Sequence, residues 1–174
     1  MLILIMNLTS KEKKWVAVYT KPRHERVVAE NLIDKGLEVY LPLLKERRKW
    51  SDRKIWIKRP LFKSYLFVRV QLRDSIFVLK TPGIVRIIKF GGEIAIVNNS
   101  SISAIKLMLE GGYKPEPTDY FIKGDKVEVV NGPLKGIEGE IAKIHDNSRL
   151  IIRIDSIQHS LSIKINSGLL KKIE

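Results

Sequence analysis

Gly132-Pro133-Leu134-Lys135-Gly136-Ile137-Glu138-Gly139 places three glycines and a proline within eight residues. Glycine permits positive φ and close backbone approach, and proline fixes φ, so the stretch reads as a sharp corner between strands. Gly124-Asp125-Lys126-Val127 precedes it and Glu140-Ile141-Ala142-Lys143-Ile144 follows. Strand-like runs at 126–130, 138–145, 150–154 and 159–165 are separated by Asn131-Gly132-Pro133, Asp146-Asn147-Ser148 and Asp155-Ser156. Short strands at this spacing predict a small all-β barrel over 120–174. A helical form is disfavoured, because each glycine costs a helix about 1 kcal/mol and an interior proline about 3.

Upstream, Gly111-Gly112-Tyr113-Lys114-Pro115-Glu116-Pro117-Thr118 reads as a linker over 111–119, since two glycines end a helix and two prolines resist helix and sheet. The rest of the chain predicts a second architecture. A β-branched and aromatic strand covers 15–20. Pro22 opens a helix in which Val28, Ala29, Leu32 and Ile33 share a face, and Gly36 ends it. Strands follow at 39–41, 54–58, 65–70 and 84–90, with a short helix or turn over 73–80. Asn99–Ser101 then cap a helix whose Ile102, Ile105 and Leu109 share a face. The order implies an α/β sandwich, a mainly antiparallel sheet with helices on one face. The whole is an α+β chain: an extension at 1–13, a sandwich at 14–110, the linker and the barrel.

Charge is unevenly placed. The 174 residues carry 32 Lys and Arg against 19 Asp and Glu, net +13; residues 1–119 hold +11 of this and residues 120–174 only +2. A polyanionic partner is therefore expected for the first domain. The absence of cysteine removes disulfides and thiolate sites and fits a reducing, cytoplasmic setting. Met1–Met6 is apolar but far short of the ~20 residues of a membrane span, and Met6 offers an alternative start. No phosphate-binding Gly-rich loop, nucleophile elbow or metal cluster appears, so neither an enzyme nor a cofactor is expected.

Three further features point to binding. Along Leu61-Phe62-Lys63-Ser64-Tyr65-Leu66-Phe67-Val68-Arg69-Val70, side chains alternate. Leu66, Val68 and Val70 suit the core; Tyr65, Phe67 and Arg69 share the other face, where the charge predicts partial exposure and a binding patch. The run 45–59 holds eight basic and two acidic residues, including Arg47, Arg48, Lys49, Arg53 and Lys54. It suits phosphate, with Trp50 and Trp56 as candidates for stacking on unpaired bases and Trp50 the expected exposed indole; the bland alternative is a solvated hairpin with Trp56 packed on the domain. Lys21, Arg23, His24 and Arg26 open the first helix, where free N–H groups favour phosphate. His145 and His159 have no partner at ligand spacing.

The corner at Gly132, Pro133, Gly136 and Gly139 resembles a KOW motif, found in SH3-like barrels of transcription factors and ribosomal proteins. Tyr19-Thr20-Lys21-Pro22-Arg23-His24-Glu25, the Leu61–Val68 segment and Thr81-Pro82-Gly83-Ile84-Val85-Arg86-Ile87 follow one another in an order that resembles the NGN domain of the NusG family. The similarity covers nearly the whole chain. It implies a monomeric elongation or antitermination factor whose N-terminal domain binds the RNA polymerase clamp helices through Tyr19, Phe62, Tyr65 and Phe67. It also implies contact with non-template DNA or nascent RNA, and a KOW domain recruiting another factor, with Rho or a small-subunit ribosomal protein as family possibilities. Lys63 departs from the family's frequent proline. The basic N-terminal domain favours a specialised, RfaH-like or capsule-operon-type paralogue. The alternative is a ribosome-associated KOW RNA-binding protein, which the near-neutral C-terminal domain disfavours.

Overall fold

A computed structural model describes residues 12–50, 53–118, 124–144 and 147–173, with backbone alone at 48–50, 143–144 and 147. The chain divides into two compact units, Met1–Val97 and Asn98–Glu174.

In the first unit the run Trp15–Thr20 is almost wholly β-branched or aromatic and forms β1 (Lys14–Thr20). It pairs antiparallel with β5 (Tyr65–Val70), β6 (Ile84–Ile87) and β9 (Ile96–Val97), and β5 pairs in turn with β2 (Glu38–Tyr40). Val16, Val18, Leu66, Val68 and Val70 line one face of this sheet. They pack with Val28, Ala29 and Leu32 of α1 (Glu25–Asp34) and Val78 of α2 (Ser75–Leu79), closing one core. The expected strand over 84–90 is broken: the register shifts beside Thr20, and β6 gives way to β7 (Lys89–Phe90), which pairs with β8 (Glu93–Ile94).

Of the charged run only 54–58 reads locally as a strand, and the run folds as a hairpin. β3 (Leu43–Trp50) and β4 (Arg53–Pro60) make a long antiparallel hairpin, in register from Leu43↔Pro60 to Trp50↔Arg53. Nothing in the apolar pattern of β3 marks it as a strand; its ladder with β4 does.

The boundary between units differs from the expected linker. α3 (Asn99–Glu110) groups with the second unit because Ala104 and Met108 pack among Val127, Val129, Leu150, Ile152 and Ile163. Asn98 rather than Asn99–Ser101 is the N-cap, with no side-chain capping bond. Gly112 takes φ 75° as the helix ends, and Tyr113 N–H returns to the Met108 carbonyl at 2.9 Å, a Schellman closure. Prolines do not keep the following residues out of the sheet: β10 (Glu116–Thr118) pairs with β14 (His159–Lys164). Pro117 is tolerated because β10 is an edge strand.

The second unit's six-stranded antiparallel sheet runs β10, β14 (His159–Lys164), β13 (Asn147–Ile154), β12 (Glu138–Ile144), β11 (Asp125–Val129), β15 (Leu170–Lys172). The glycine-rich corner joins β11 to β12. Gly136 takes φ 85° and donates to the Val129 carbonyl at 2.8 Å, while Leu134 and Ile137 turn inward and are buried. Gly139 lies opposite Val127, where an added Cβ would sit 2.5 Å from the Ile151 carbonyl oxygen.

One ion pair ties three parts of this sheet. Glu140 accepts from Arg153 Nε at 2.7 Å and Nη2 at 2.9 Å, and from the Gly124 N–H at 3.0 Å. The Arg153 hydrogen bonds hold its carboxyl below the usual glutamate range, against an opposing effect of burial. A depressed folded pKa stabilises above the unfolded value and stops doing so as pH falls through the folded one. Glu140→Gln is therefore expected to lower unfolding free energy by about 1.5–3 kcal/mol at neutral pH. In denaturant melts across a pH series, the gap to wild type should close as pH drops below the ordinary glutamate range.

Candidate binding surfaces

The sheet face turned away from α1 and α2 carries the aromatic residues. The register sets Tyr19 opposite Tyr65, Ala17 opposite Phe67 and Tyr40 opposite Phe67 from the other side. Tyr19 and Tyr65 meet edge to face at 5.1 Å, Phe62 meets Phe67 at 6.0 Å, and Tyr40 stacks on Phe67 at 6.4 Å. The four expected residues are thus brought together, but not as an open patch. Phe67 is 0% and Phe62 3% exposed, while the two tyrosines are half-buried. Arg69 does not open this face, because its guanidinium reaches Glu38 across the β2–β5 ladder at 3.2 Å.

Two members were missed in the sequence. Tyr40 sits one strand over, and Arg86 lies 5.1 Å over the Tyr19 ring, opposite it in the β1–β6 ladder. Both follow from strand pairing rather than from any local motif. Burial raises the Tyr65 pKa above the usual tyrosine value, with Arg86 pulling the other way, so the hydroxyl stays neutral at working pH.

The turn before β5 is held from three sides. Ser64 takes φ 63°. Its N–H donates to the buried Glu25 carboxylate at 2.7 Å, its carbonyl accepts from Thr20 N–H at 2.8 Å, and Tyr65 N–H returns to the Phe62 carbonyl at 3.3 Å. Glu25, in the first turn of α1, thus couples the helix start to the aromatic strand. Residue type alone does not mark this role, which depends on the turn at Ser64 folding against the helix start.

Lys21, Arg23, His24 and Arg26 are all exposed at that helix start. Arg23 and Arg26, but not the other two, line an open cleft of about 590 Å³ together with Glu25, Arg59, Lys63 and Ser64. His24 Nδ1 lies 2.9 Å from the Pro22 carbonyl. Arg59 and Lys63 extend the basic rim, and their proximity appears only once the hairpin and the turn are folded against α1. Arg23 takes φ 65°, which costs a non-glycine residue about 1–2 kcal/mol.

On the hairpin, Trp56 is 67% exposed, which fits the stacking expectation and not the alternative of an indole packed on the domain. The expectations for the side chains of Arg48, Lys49 and Trp50 lie outside the described residues. Among the described residues no group of three or more His, Cys, Asp or Glu is placed to hold a metal, and no helix is long and apolar enough to cross a membrane.

A family model described as NusG, transcription termination factor, matches residues 13–106. The match therefore runs past Val97 into α3. The transcription termination/antitermination protein NusG of Pseudomonas aeruginosa is 23% identical over 92% of this chain and 99% of its own length. NusG of Lactococcus lactis is also 23% identical, over 97% of each. A solved structure reporting domain interaction in Thermotoga maritima NusG superposes with TM-score 0.54 at 24% identity, covering 94% of this chain and 98% of that one.

Proposed function

This chain belongs to the NusG family of transcription termination and antitermination factors, and on that premise we propose that it acts by binding the clamp helices of RNA polymerase. The contact is made by the Tyr19–Tyr65 end of the aromatic face. The observation that carries this reading is the half-exposed tyrosine pair with Arg86 over one ring, set on a rigid strand register. Aromatic and arginine side chains are the commonest interface anchors. Phe62, Phe67 and Tyr40 form a second, largely buried aromatic cluster on the same face. Immobilised full-length chain is expected to capture RNA polymerase and to lose it to excess free clamp-helix fragment. Failure to capture polymerase at low salt overturns the reading.

The cleft at the start of α1 is the second half of the proposal. Its four cations suit the phosphates of a nucleic acid strand beside the clamp. Arg23→Gly keeps the left-handed backbone that glycine adopts freely, and Lys63→Ala removes an exposed side chain, so neither should unfold the unit. Each is expected to lower the salt slope of nucleic-acid binding by about 0.7. An unchanged slope in the double variant removes the cleft from the binding surface.

The second unit is read as an SH3-like KOW barrel that recruits another protein. Its near-neutral charge, +2 over 120–174, supports a protein partner over direct RNA binding. The concentration of positive charge in residues 1–119 supports a specialised, RfaH-like role over a housekeeping one.

A further inference from the structure

We propose that one face of the β3–β4 hairpin is a platform for single-stranded nucleic acid, with Trp56 as its base-stacking residue. The proposal rests on the family reading, which brings the chain to a transcribing polymerase, but the hairpin's own geometry carries it. Residues directly opposite in an antiparallel ladder point to the same side. Lys45 is opposite Lys58 and Arg47 opposite Trp56, and Lys54 lies two residues before Trp56, so these five share a face. All five are exposed. The alternate positions Glu46, Ile55, Ile57 and Arg59 are half-buried, and Arg59 pairs with Glu46. The ribbon is therefore one-sided.

That face does nothing for folding. Like charges placed directly opposite destabilise a ladder, and an indole left in water gives up the stabilisation of burial. A polyanion relieves the first, and an accessible base relieves the second. Duplex DNA offers phosphate but keeps its base faces inside the stack; a single strand offers both. Same-face residues recur about every 6.8 Å along a strand, twice the ~3.4 Å step per stacked nucleotide. Lys45 with Lys58, then Arg47, then Lys54 thus set cations along the face at a spacing that successive phosphates of a strand can follow. At the root of the hairpin Arg26 donates to the Lys58 carbonyl, which joins this face to the basic cleft.

Fluorescence anisotropy of the full chain with labelled oligo-dT, oligo-U and a duplex of equal length tests the proposal. Trp56→Ala is expected to weaken single-strand binding roughly tenfold, with Trp56→Phe recovering most of the loss. The salt slope should stay put in both. Arg47→Ala with Lys58→Ala should instead lower the slope by about 0.7 per cation. Duplex binding, which reads phosphate alone, should not respond to Trp56. A preference for dT or for U assigns the displaced DNA strand or the transcript, and either agrees with the platform. Single-strand affinity within twofold of wild type in Trp56→Ala overturns it, as does tighter, equally Trp56-dependent duplex binding. Polymerase capture by Trp56→Ala separates the two readings. Intact capture with unaffected single-strand binding removes the platform alone, whereas Trp56-dependent strand binding without capture by wild type removes the polymerase reading and leaves the platform.

Discussion

Replacing Tyr19 and Tyr65 together with alanine is expected to weaken polymerase capture roughly a hundredfold while leaving the fold in place. Central aromatic anchors of an interface cost about 2 kcal/mol or more each when truncated. Two rings in edge contact at 5.1 Å form one unit, so their effects should not add fully. Both are only half-buried in this structure, so the core loses little. Phe67→Ala is the contrasting variant. Its ring is fully buried between Phe62 and Tyr40, and removing it should cost about 3–5 kcal/mol of unfolding free energy. Thermal melts and capture assays on the same preparations distinguish these. If the double tyrosine variant keeps wild-type circular dichroism and captures polymerase within twofold of wild type, the contact lies elsewhere. Tyr65→Phe should retain capture if ring packing dominates, because the neutral hydroxyl carries no charge to the interface.

The elements set by local chemistry were legible before any coordinates. β-branched and aromatic runs mark β1, β5 and β13 and apolar alternation marks β14 to within a few residues, and the Gly132–Gly139 corner falls where β11 meets β12. What escaped the sequence depends on pairing across the fold. β3 is a charged run with no alternation, and only its ladder with β4 makes it a strand. Partial exposure of Phe67 was inferred from Arg69 on the same face, yet that charge is met by Glu38 from the neighbouring strand. α3 shows an apolar face in either unit; Ala104 and Met108 decide which sheet it covers, and periodicity does not carry that information. The surfaces split in the same way. Residue types named the aromatic and basic candidates, but pairing added Tyr40 and Arg86, and folding of the turn added Glu25 and Lys63 and brought Arg59 of the basic run beside them. Alternation along β4 was available to place Trp56 with Lys54 and Lys58; its exposure required knowing which face of the ribbon is covered.

The largest stability effect is expected at Gly139. Valine there is expected to unfold the second unit, because three neighbours leave no room for a Cβ. They are the Ile151 carbonyl oxygen at 2.5 Å, Ile152 Cδ1 at 2.8 Å and Leu150 Cδ1 at 3.0 Å. The two side chains belong to the core, and the carbonyl to the neighbouring strand β13, so relief means moving the sheet itself. Overpacking a core by a methyl or two costs about 1–3 kcal/mol even where side chains can yield, and a backbone contact yields less. Gly136 supplies the comparison: its φ is 85° with nothing within 4 Å of an added Cβ, so Gly136→Ala meets only the left-handed penalty of about 1–2 kcal/mol. The expected order of destabilisation is Gly139→Val, then Gly139→Ala, then Gly136→Ala. Hydrogen exchange resolved over 124–172 reads this unit separately from the strands of the first. Wild-type protection across β11–β14 in Gly139→Val would show that the sheet tolerates the side chain and that close approach is not why glycine stands there. If the loss is confined to the second unit, the same variant tests the division of labour. Capture of polymerase should survive, and the recruitment proposed for the second unit should not.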